Sequence, residues 1–234
     1  MQMQVPDRIL NEEIEAQIEY VFERCKSRVK IVGIIDTSDT TFDLSANVSM
    51  RSFLDEFAAA SDKVEVVIHE KGENHDLEMQ IGAFAYPVIA LFKTDDGSLS
   101  YHYSGVSFYG VPGGHELEAF ILSIYNVAGP GQPIGEDVKS RIVKLETPLN
   151  LKMCISLTCQ MCSELVQAGN RIATLNPGIT VDTIDLATFE NVQDEFNIIS
   201  VPATIINGKE IVYGRKSLKE MLAFLEEREN ISFR

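Results

Sequence analysis

The stretch from residue 151 to residue 162, Leu-Lys-Met-Cys-Ile-Ser-Leu-Thr-Cys-Gln-Met-Cys, decides the fold of this 234-residue chain. Its first part, Leu151 to Ile155, is an apolar run of strand length, and the segment from Cys162 to Leu175 has the apolar spacing of a helix. Cys159 lies between the two. At this spacing the first cysteine occupies the N-terminus of the helix and the second lies one turn inside it, within bonding distance. The stretch therefore predicts a strand, a dithiol and a helix, in that order.

The two cysteines favour thiol-disulfide chemistry over metal binding. A C-x-x-C motif between a strand and a helix is typical of thioredoxin-like redox sites, and the N–H groups of the helix N-terminus favour a thiolate. Cys159 is therefore the expected nucleophile. The alternative, half of a zinc site, needs two further ligands, but the four histidines are scattered and no second C-x-x-C exists. We expect no metal, and we predict that Cys25 and Cys154 are small core residues.

A proline downstream of the dithiol is the next candidate site residue. Pro202 opens the apolar run from Val201 to Ile206, a position where a strand tolerates proline. Together with the upstream C-x-x-C it matches the cis-proline loop that faces a thioredoxin dithiol, where backbone groups can pair with a substrate chain. We therefore predict a cis bond before Pro202, although such bonds are uncommon in general. Pro87 holds the corresponding place in the first half and is also expected to be cis.

The order of elements around the dithiol occurs twice in the chain. Predicted elements of the second half are a helix near 138–145, strands at 151–155 and 179–184, a hairpin of 201–206 and 210–213, and a last helix opened by a Ser217/Glu220 capping box. Predicted elements of the first half are a helix from Asn11, strands at 29–35 and 64–68, a helix at 50–60, a hairpin of 86–92 and 99–103 around Asp96-Gly97, and a helix at 115–128. Each half is predicted to run β-α-β-α-β-β-α, with a short strand before its opening helix.

This duplication predicts an α/β protein of two tandem thioredoxin-like folds, each a mixed sheet flanked by helices. The boundary is predicted in Gly129-Pro130-Gly131-Gln132-Pro133, so that residues 1–129 form a domain without redox cysteines and residues 130–234 form a thioredoxin/glutaredoxin-like domain with the C-x-x-C. After Ile35, where the first half should carry its own motif, there is no cysteine. We expect that half to shape a groove or to recognise partners. Whether the two halves share one sheet is left open.

Charge and hydropathy exclude several classes of function. The formal net charge of −15 argues against nucleic-acid binding, which needs a basic surface. The first residues lack a basic region followed by an apolar run, and no stretch approaches the roughly 18 apolar residues of a membrane span. We therefore expect a cytoplasmic protein with no membrane partner.

The residues around the dithiol resemble a known family, the N-terminal domain of the flavoprotein component of alkyl hydroperoxide reductase, which reduces a peroxiredoxin. The resemblance is densest from Ser156 to Cys162 and on to Leu175-Asn176-Pro177. It continues through the segments 184–185, 188–189, 201–203, 207–210 and 214–215, and in the first half through Gly114-His115-Glu116. That family has tandem thioredoxin folds with a vestigial first half, as the duplication also indicates here.

The resemblance implies a route for electrons. Cys159 would attack or receive a disulfide and Cys162 would resolve it, with electrons arriving from a thioredoxin-reductase-like flavoprotein and leaving to a peroxiredoxin, the second component of alkyl hydroperoxide reductase, in peroxide detoxification. Glu116 matches the acidic residue that the family places near the dithiol from the other fold, where it could act on thiol protonation. Its other interpretation is a first-turn carboxylate that stabilises the helix. Together with Pro202 these are the predicted catalytic residues.

The resemblance also has departures and implies where cofactors belong. Ser163 stands where the family commonly has proline, which concerns helix geometry rather than thiol chemistry. No G-x-G-x-x-G follows a strand, so no cofactor is expected in this chain, and FAD and NADH are expected on a partner or fused flavoprotein module. The chain would be either a fragment of a longer flavoprotein or a separate electron carrier.

Two other functions stay open. One is a general protein disulfide reductase or oxidase of the tandem-thioredoxin type, which the missing first motif disfavours. The other is a non-catalytic peptide-binding module, for which an intact dithiol would be unnecessary.

Overall fold

The computed structural model of the chain describes residues 10–38, 44–94 and 100–232. Its helices are α1 (Glu12–Phe22), α2 (Leu44–Ala60), α3 (His75–Ile81), α4 (Glu116–Ala128), α5 (Glu136–Val143), α6 (Gln160–Ala173), α7 (Glu190–Phe196) and α8 (Leu218–Ser232). Its strands are β1 (Val29–Ile35), β2 (Val64–Glu70), β3 (Val88–Thr94), β4 (Tyr101–Tyr109), β5 (Leu149–Ile155), β6 (Ile179–Asp185), β7 (Ala203–Ile206) and β8 (Glu210–Tyr213). None of the helices in these ranges is long and apolar enough to cross a membrane.

The strands form one sheet in the order β2-β1-β3-β4-β6-β5-β7-β8. In the first half, β1 pairs parallel with β2 and antiparallel with β3, and β3 pairs antiparallel with β4. The second half repeats this pattern with β5, β6, β7 and β8. Parallel pairing of β4 with β6, from Val106 opposite Val181 to Tyr109 opposite Ile184, joins the halves. The two repeats therefore share a continuous sheet, the question that the sequence left open.

The order β-α-β-α-β-β-α occurs in each half, but it starts one strand later than predicted and includes α3 and α7, which were not predicted. It begins with β1 and with β5, and the opening helices α1 and α5 lie in front of it. The strand predicted before α5 is wrong, because residues 129–135 form no strand there and carry three glycines and two prolines, which disfavour strands. The corresponding residues before Leu10, and the Asp96-Gly97 turn, lie outside the described residues.

Buried apolar side chains lie on both faces of the sheet. Alternate residues of a strand point to opposite faces, so Ile31 and Ile35 belong to one apolar cluster while Val32 and Ile34 belong to the other. The first cluster contains buried residues of α1, α2, α4, α5, α6 and α8, and the second contains Ile81 of α3 and Val192 of α7. The predicted α/β class, with a mixed sheet flanked by helices, is confirmed.

Helices from the two halves also meet directly. The Nδ2 atom of Asn170 in α6 donates a hydrogen bond of 2.9 Å to the Oγ atom of Ser123 in α4, and both residues are buried. Arg171, the next residue of α6, donates a hydrogen bond of 2.8 Å to the carbonyl oxygen of Gln132 in the connecting segment. Together with the β4–β6 pairing, these contacts hold α4 and α6 in a fixed relation.

Candidate functional site

The dithiol lies where the sequence predicts it, at the start of α6. Cys159 is the N-cap residue of this helix, with an extended backbone conformation, and its sulfur is bonded to that of Cys162 with the two Cα atoms 5.4 Å apart. The amide of Cys162 donates a hydrogen bond of 3.1 Å to the carbonyl oxygen of Cys159. Cys159 is half-buried, whereas Cys162 is completely buried. The two sulfurs can therefore close a disulfide, and the first is the one that another molecule can reach.

The electrostatic setting of Cys159 comes from the helix that it caps. The first turn of α6 contains no acidic residue, so no carboxylate of that turn competes for its unpaired N–H groups. The positive end of the helix dipole therefore acts on the Cys159 sulfur and favours its thiolate form when the disulfide is reduced.

The remaining two cysteines are core residues, as predicted. Cys25 and Cys154 are both free and buried. Burial raises the pKa of the Cys25 thiol to about 11 and that of the Cys154 thiol to about 12, although Lys63 and Lys152 respectively act in the opposite direction. Neither thiol has the properties of a nucleophile near neutral pH.

Pro202 lies at the end of the sheet where the dithiol loop begins. The Val201–Pro202 and Tyr86–Pro87 bonds are both cis, which confirms the two predictions, and a third cis bond precedes Pro130. Since Cys154 pairs with Ala203 in the antiparallel β5–β7 register, Pro202 falls opposite Ile155, the last residue of β5. The loop that leads to Cys159 starts directly after Ile155. The structure thus brings the proline loop and the dithiol loop to one end of the sheet.

The backbone of Val201 is available for pairing. Its N–H and carbonyl oxygen form no hydrogen bond with another residue in the described part of the chain, although the side chain is half-buried. The next carbonyl, that of Pro202, accepts a hydrogen bond of 2.9 Å from Gly214. A donor and an acceptor at an open sheet end are suited to an extended chain.

Glu116 belongs to the first half but is linked to the dithiol loop through its neighbours. The amide of His115 donates a hydrogen bond of 3.0 Å to the carbonyl oxygen of Leu157, two residues before Cys159. Gly114 has a φ of +53°, and a Cβ atom at this position would collide with the Leu157 carbonyl oxygen. The N-terminus of α4 therefore lies against the loop that carries the dithiol.

The carboxyl group of Glu116 is in an unusual environment. The residue is only 1% exposed, and neither carboxyl oxygen has a hydrogen-bond partner among the described residues. Burial raises the pKa of this carboxyl to about 7, and the Asp185 carboxylate also acts to raise it. This environment differs from that of an exposed, ionised first-turn carboxylate that only stabilises the helix dipole.

A groove beside the dithiol loop was not anticipated from the sequence. It has a volume of about 450 Å³, and we call it the α7 groove. Its lining residues come from the end of β5, the β6–α7 turn, α7 and the proline loop: Ile155, Ser156, Leu186, Ala187, Glu190, Gln193, Asp194, Ile198, Ile199, Ser200 and Val201. The sequence carries no clear signal for this groove, because α7 has seven residues and buries only Val192, which leaves too little apolar periodicity.

Potential metal ligands do not gather in the part of the chain that the structure describes. No group of three or more His, Cys, Asp or Glu side chains there is arranged to hold a metal ion.

Comparison with known proteins gives consistent results for the fold and for the family resemblance. The thioredoxin domain model (Thioredoxin_3) matches residues 149–226. The chain is similar to the alkyl hydroperoxide reductase protein AhpF of Staphylococcus aureus, with 38% identity over 122 residues, covering 52% of this chain and 24% of the relative. The same protein of Staphylococcus epidermidis is 28% identical over 226 residues, covering 96% of this chain and 39% of the relative. The chain thus spans well under half the length of these relatives.

Solved structures extend the similarity to both halves. The structure of Enterococcus faecalis AhpF, a C503A mutant, has a TM-score of 0.83 and 29% identity, covering 93% of this chain and 99% of that chain. The NTD_N/C domain of the same protein gives a TM-score of 0.82 at 29% identity, covering 92% and 99%. A protein disulfide oxidoreductase from Aeropyrum pernix, with a TM-score of 0.76, 15% identity and 94% coverage of both chains, shares the fold. The predicted thioredoxin-like fold and the resemblance to the N-terminal domain of AhpF are confirmed.

Proposed function

Because this chain is similar over nearly its whole length to the N-terminal region of AhpF, we propose that it carries electrons from a flavoprotein dithiol to a peroxiredoxin disulfide. A thiol-disulfide redox role is supported by the thioredoxin-like fold and the Cys159–Cys162 pair. The observation that carries the finer proposal is the similarity to AhpF over nearly the whole chain, and the asymmetry of the pair, with Cys159 accessible at a helix N-terminus and Cys162 buried behind it, supports its thiol chemistry.

The reaction follows from this asymmetry. In the reduced chain, the Cys159 thiolate attacks one sulfur of the peroxiredoxin disulfide, which forms a mixed disulfide and releases one peroxiredoxin thiolate that takes up a proton. Cys162 then loses its proton and attacks the Cys159 sulfur, which releases the second peroxiredoxin thiol and leaves the Cys159–Cys162 disulfide. Two electrons have then passed to the peroxiredoxin. The flavoprotein dithiol reduces the Cys159–Cys162 disulfide by the same exchange in reverse.

Val201, Pro202 and Glu116 support this exchange in different ways. The free backbone N–H and carbonyl of Val201 hold the partner segment, and the cis bond before Pro202 presents them at the same sheet end as the dithiol. Glu116, with a pKa of about 7, takes up or gives the proton that moves when a thiol and a thiolate interchange. The first half contributes this carboxyl and the Leu157 contact rather than a thiol of its own.

FAD and NADH act outside these residues in the proposal. They belong to the flavoprotein, which is either fused to this chain or separate from it. The match with this chain covers only 39% of the length of the Staphylococcus epidermidis relative. The cytoplasm is the proposed location.

The test reconstitutes the electron route. NADH oxidation is followed with a hydroperoxide, a peroxiredoxin and a thioredoxin-reductase-like flavoprotein that lacks thioredoxin-like domains, and the rate should depend on this chain. Cys159→Ser should abolish the rate, and Cys162→Ser should accumulate a mixed disulfide with the peroxiredoxin because the resolving thiol is missing. Cys154→Ser is the matched control, since Cys154 is free and buried and should leave the rate unchanged.

Two results would contradict the proposal. If NADH oxidation is equally fast without this chain, the chain is not the electron carrier. Reduction of insulin without reduction of any peroxiredoxin would favour the general disulfide reductase instead.

A further inference from the structure

We propose that the α7 groove selects partner segments that carry a lysine or arginine side chain near the disulfide to be reduced. This inference rests on the proposed function, since it names the chemistry of the segment that docks beside Cys159. The groove lies beside the dithiol loop, because its lining includes Ile155 at the end of β5, Ser156 at the start of that loop, and Val201, which precedes the cis-proline.

The charge of the α7 groove favours a basic side chain. Glu190 and Asp194 stand four residues apart on α7, hence on the same side of the helix, and both line the groove. Both are exposed, and neither forms an ion pair with another residue in the ranges that the structure describes. No lysine or arginine is among the lining residues of the groove. A cationic side chain placed there would meet two carboxylates that have no competing partner.

The apolar part of the groove lining fits the stem of a long side chain. Leu186 and Ile198 are buried under the groove, while Ile199 is 83% exposed at its rim. Long basic side chains lay their methylene stems along apolar surface and keep the charged head in water. The combination of an isoleucine rim with two carboxylates fits such a side chain better than it fits a purely apolar or an acidic one.

The position of Val201 places a bound segment beside α7. The unpaired N–H and carbonyl of Val201 can pair with an extended partner backbone, and Val201 is itself a wall of the groove. A segment held at Val201 therefore has side chains within reach of α7 while its cysteine approaches Cys159. The dithiol carries out the exchange, and the groove determines which partner segments react faster.

The experiment uses the full chain, reduced with dithiothreitol and then freed of it. Three homodimeric disulfide-linked peptides serve as oxidants and differ only in carrying lysine, glutamine or glutamate beside the cysteine. Each peptide disulfide takes two electrons and two protons from the dithiol, which becomes the Cys159–Cys162 disulfide. We expect the second-order rate constant for oxidation by the lysine peptide to exceed that for the glutamate peptide by about tenfold or more, and the ratio to shrink as salt is added.

Matched variants assign the preference to the groove. The double substitution Glu190→Gln with Asp194→Asn should reduce the lysine-to-glutamate ratio to about one to threefold. The control double substitution Asp55→Asn with Glu227→Gln changes the net charge equally on exposed residues of α2 and α8, and it should keep the ratio of the unmodified chain.

The outcomes separate this inference from the function on which it rests. Equal rates for the three peptides, or a preference that survives in the Glu190→Gln/Asp194→Asn chain, would overturn the groove proposal. A preference lost equally in the control would also overturn it, because net charge alone would then be responsible. If the reduced chain fails even with neutral hydroxyethyl disulfide, the dithiol is inactive and both proposals fail.

Discussion

At the scale of single residues, the four cysteines are chemically distinct. Cys159 is half-buried at a helix N-terminus, whereas Cys25, Cys154 and Cys162 are 6%, 0% and 0% exposed. In the reduced chain at neutral pH, iodoacetamide should therefore modify Cys159 at least about tenfold faster than any other cysteine. Peptide mass mapping over time checks this, and the unfolded chain, in which all four should react, is the control. Fastest labelling of Cys162 or Cys154 would contradict the assignment of the nucleophile.

Glu116 should make the stability of the chain depend on pH. Burial, with a contribution from Asp185, raises its pKa from an ordinary 4.5 to about 7 in the folded state. Between these two values the folded chain holds a proton that the unfolded chain has lost, so the free energy of unfolding falls as pH rises, by up to about 3 kcal/mol. Glu116→Gln removes this fall. Urea titrations from about pH 5 to about pH 8 should show the variant gaining stability relative to the unmodified chain over this interval.

A neighbouring substitution provides the control for Glu116. Glu118→Gln makes the same chemical change on the exposed side of α4 and should leave the pH dependence of stability as it is. The pH profile of disulfide exchange should also shift in Glu116→Gln if its carboxyl exchanges a proton with the thiols. If neither the pH dependence of stability nor that of disulfide exchange changes in Glu116→Gln, the role of Glu116 is purely structural.

At the scale of elements, the contact between α4 and the dithiol loop can be tested at Gly114. Gly114 and Gly82 both have positive φ values, of +53° and +65°, but only at Gly114 would a Cβ atom collide with another backbone. Alanine at either position costs about 1 kcal/mol for the left-handed conformation. We expect Gly114→Ala to cost clearly more in free energy of unfolding than Gly82→Ala and to slow thiol exchange, because Leu157 must move. Equal costs and equal exchange rates in the two variants would show that this contact is unimportant.

Local signals located most elements but not all of them. Asn11 caps α1 by accepting a hydrogen bond from Ile14, and Ser217 and Glu220 form the predicted capping box of α8. α3 and α7 were missed, since short helices that bury a single residue each are stabilised by tertiary packing rather than by their own periodicity.

At the scale of the whole molecule, the shared sheet couples the two halves. The β4–β6 pairing and the Asn170–Ser123 bond cross the junction, and one apolar cluster contains buried residues of both halves. The substitution Ile31→Val in β1 should cost about 1 kcal/mol, and it should lower hydrogen-exchange protection in β5 as much as in β1. Ile205→Val in β7 should act reciprocally. Loss of protection confined to the substituted half would instead favour independently unfolding domains on either side of the predicted boundary at residues 129 and 130.

What the sequence by itself determined is what depends on neighbours along the chain. The strand, dithiol and helix around Cys159, the repeated order of elements and the absence of a thiol after Ile35 can all be read from short segments, whereas the two cis bonds were predicted from the match with the C-x-x-C and from the repeat. Their physical causes are local: apolar periodicity, proline geometry, and the unpaired N–H groups of a helix end.

Only the tertiary structure decided how these segments act on one another. Pairing of Val106 with Val181, burial of the Glu116 carboxyl, and the α7 groove beside Val201 each depend on residues that are distant in the chain or on a helix that packing stabilises. The raised pKa of Glu116 shows why: the same residue exposed on an isolated helix would be an ordinary carboxylate, and removal from water by the folded chain is the main cause of the change.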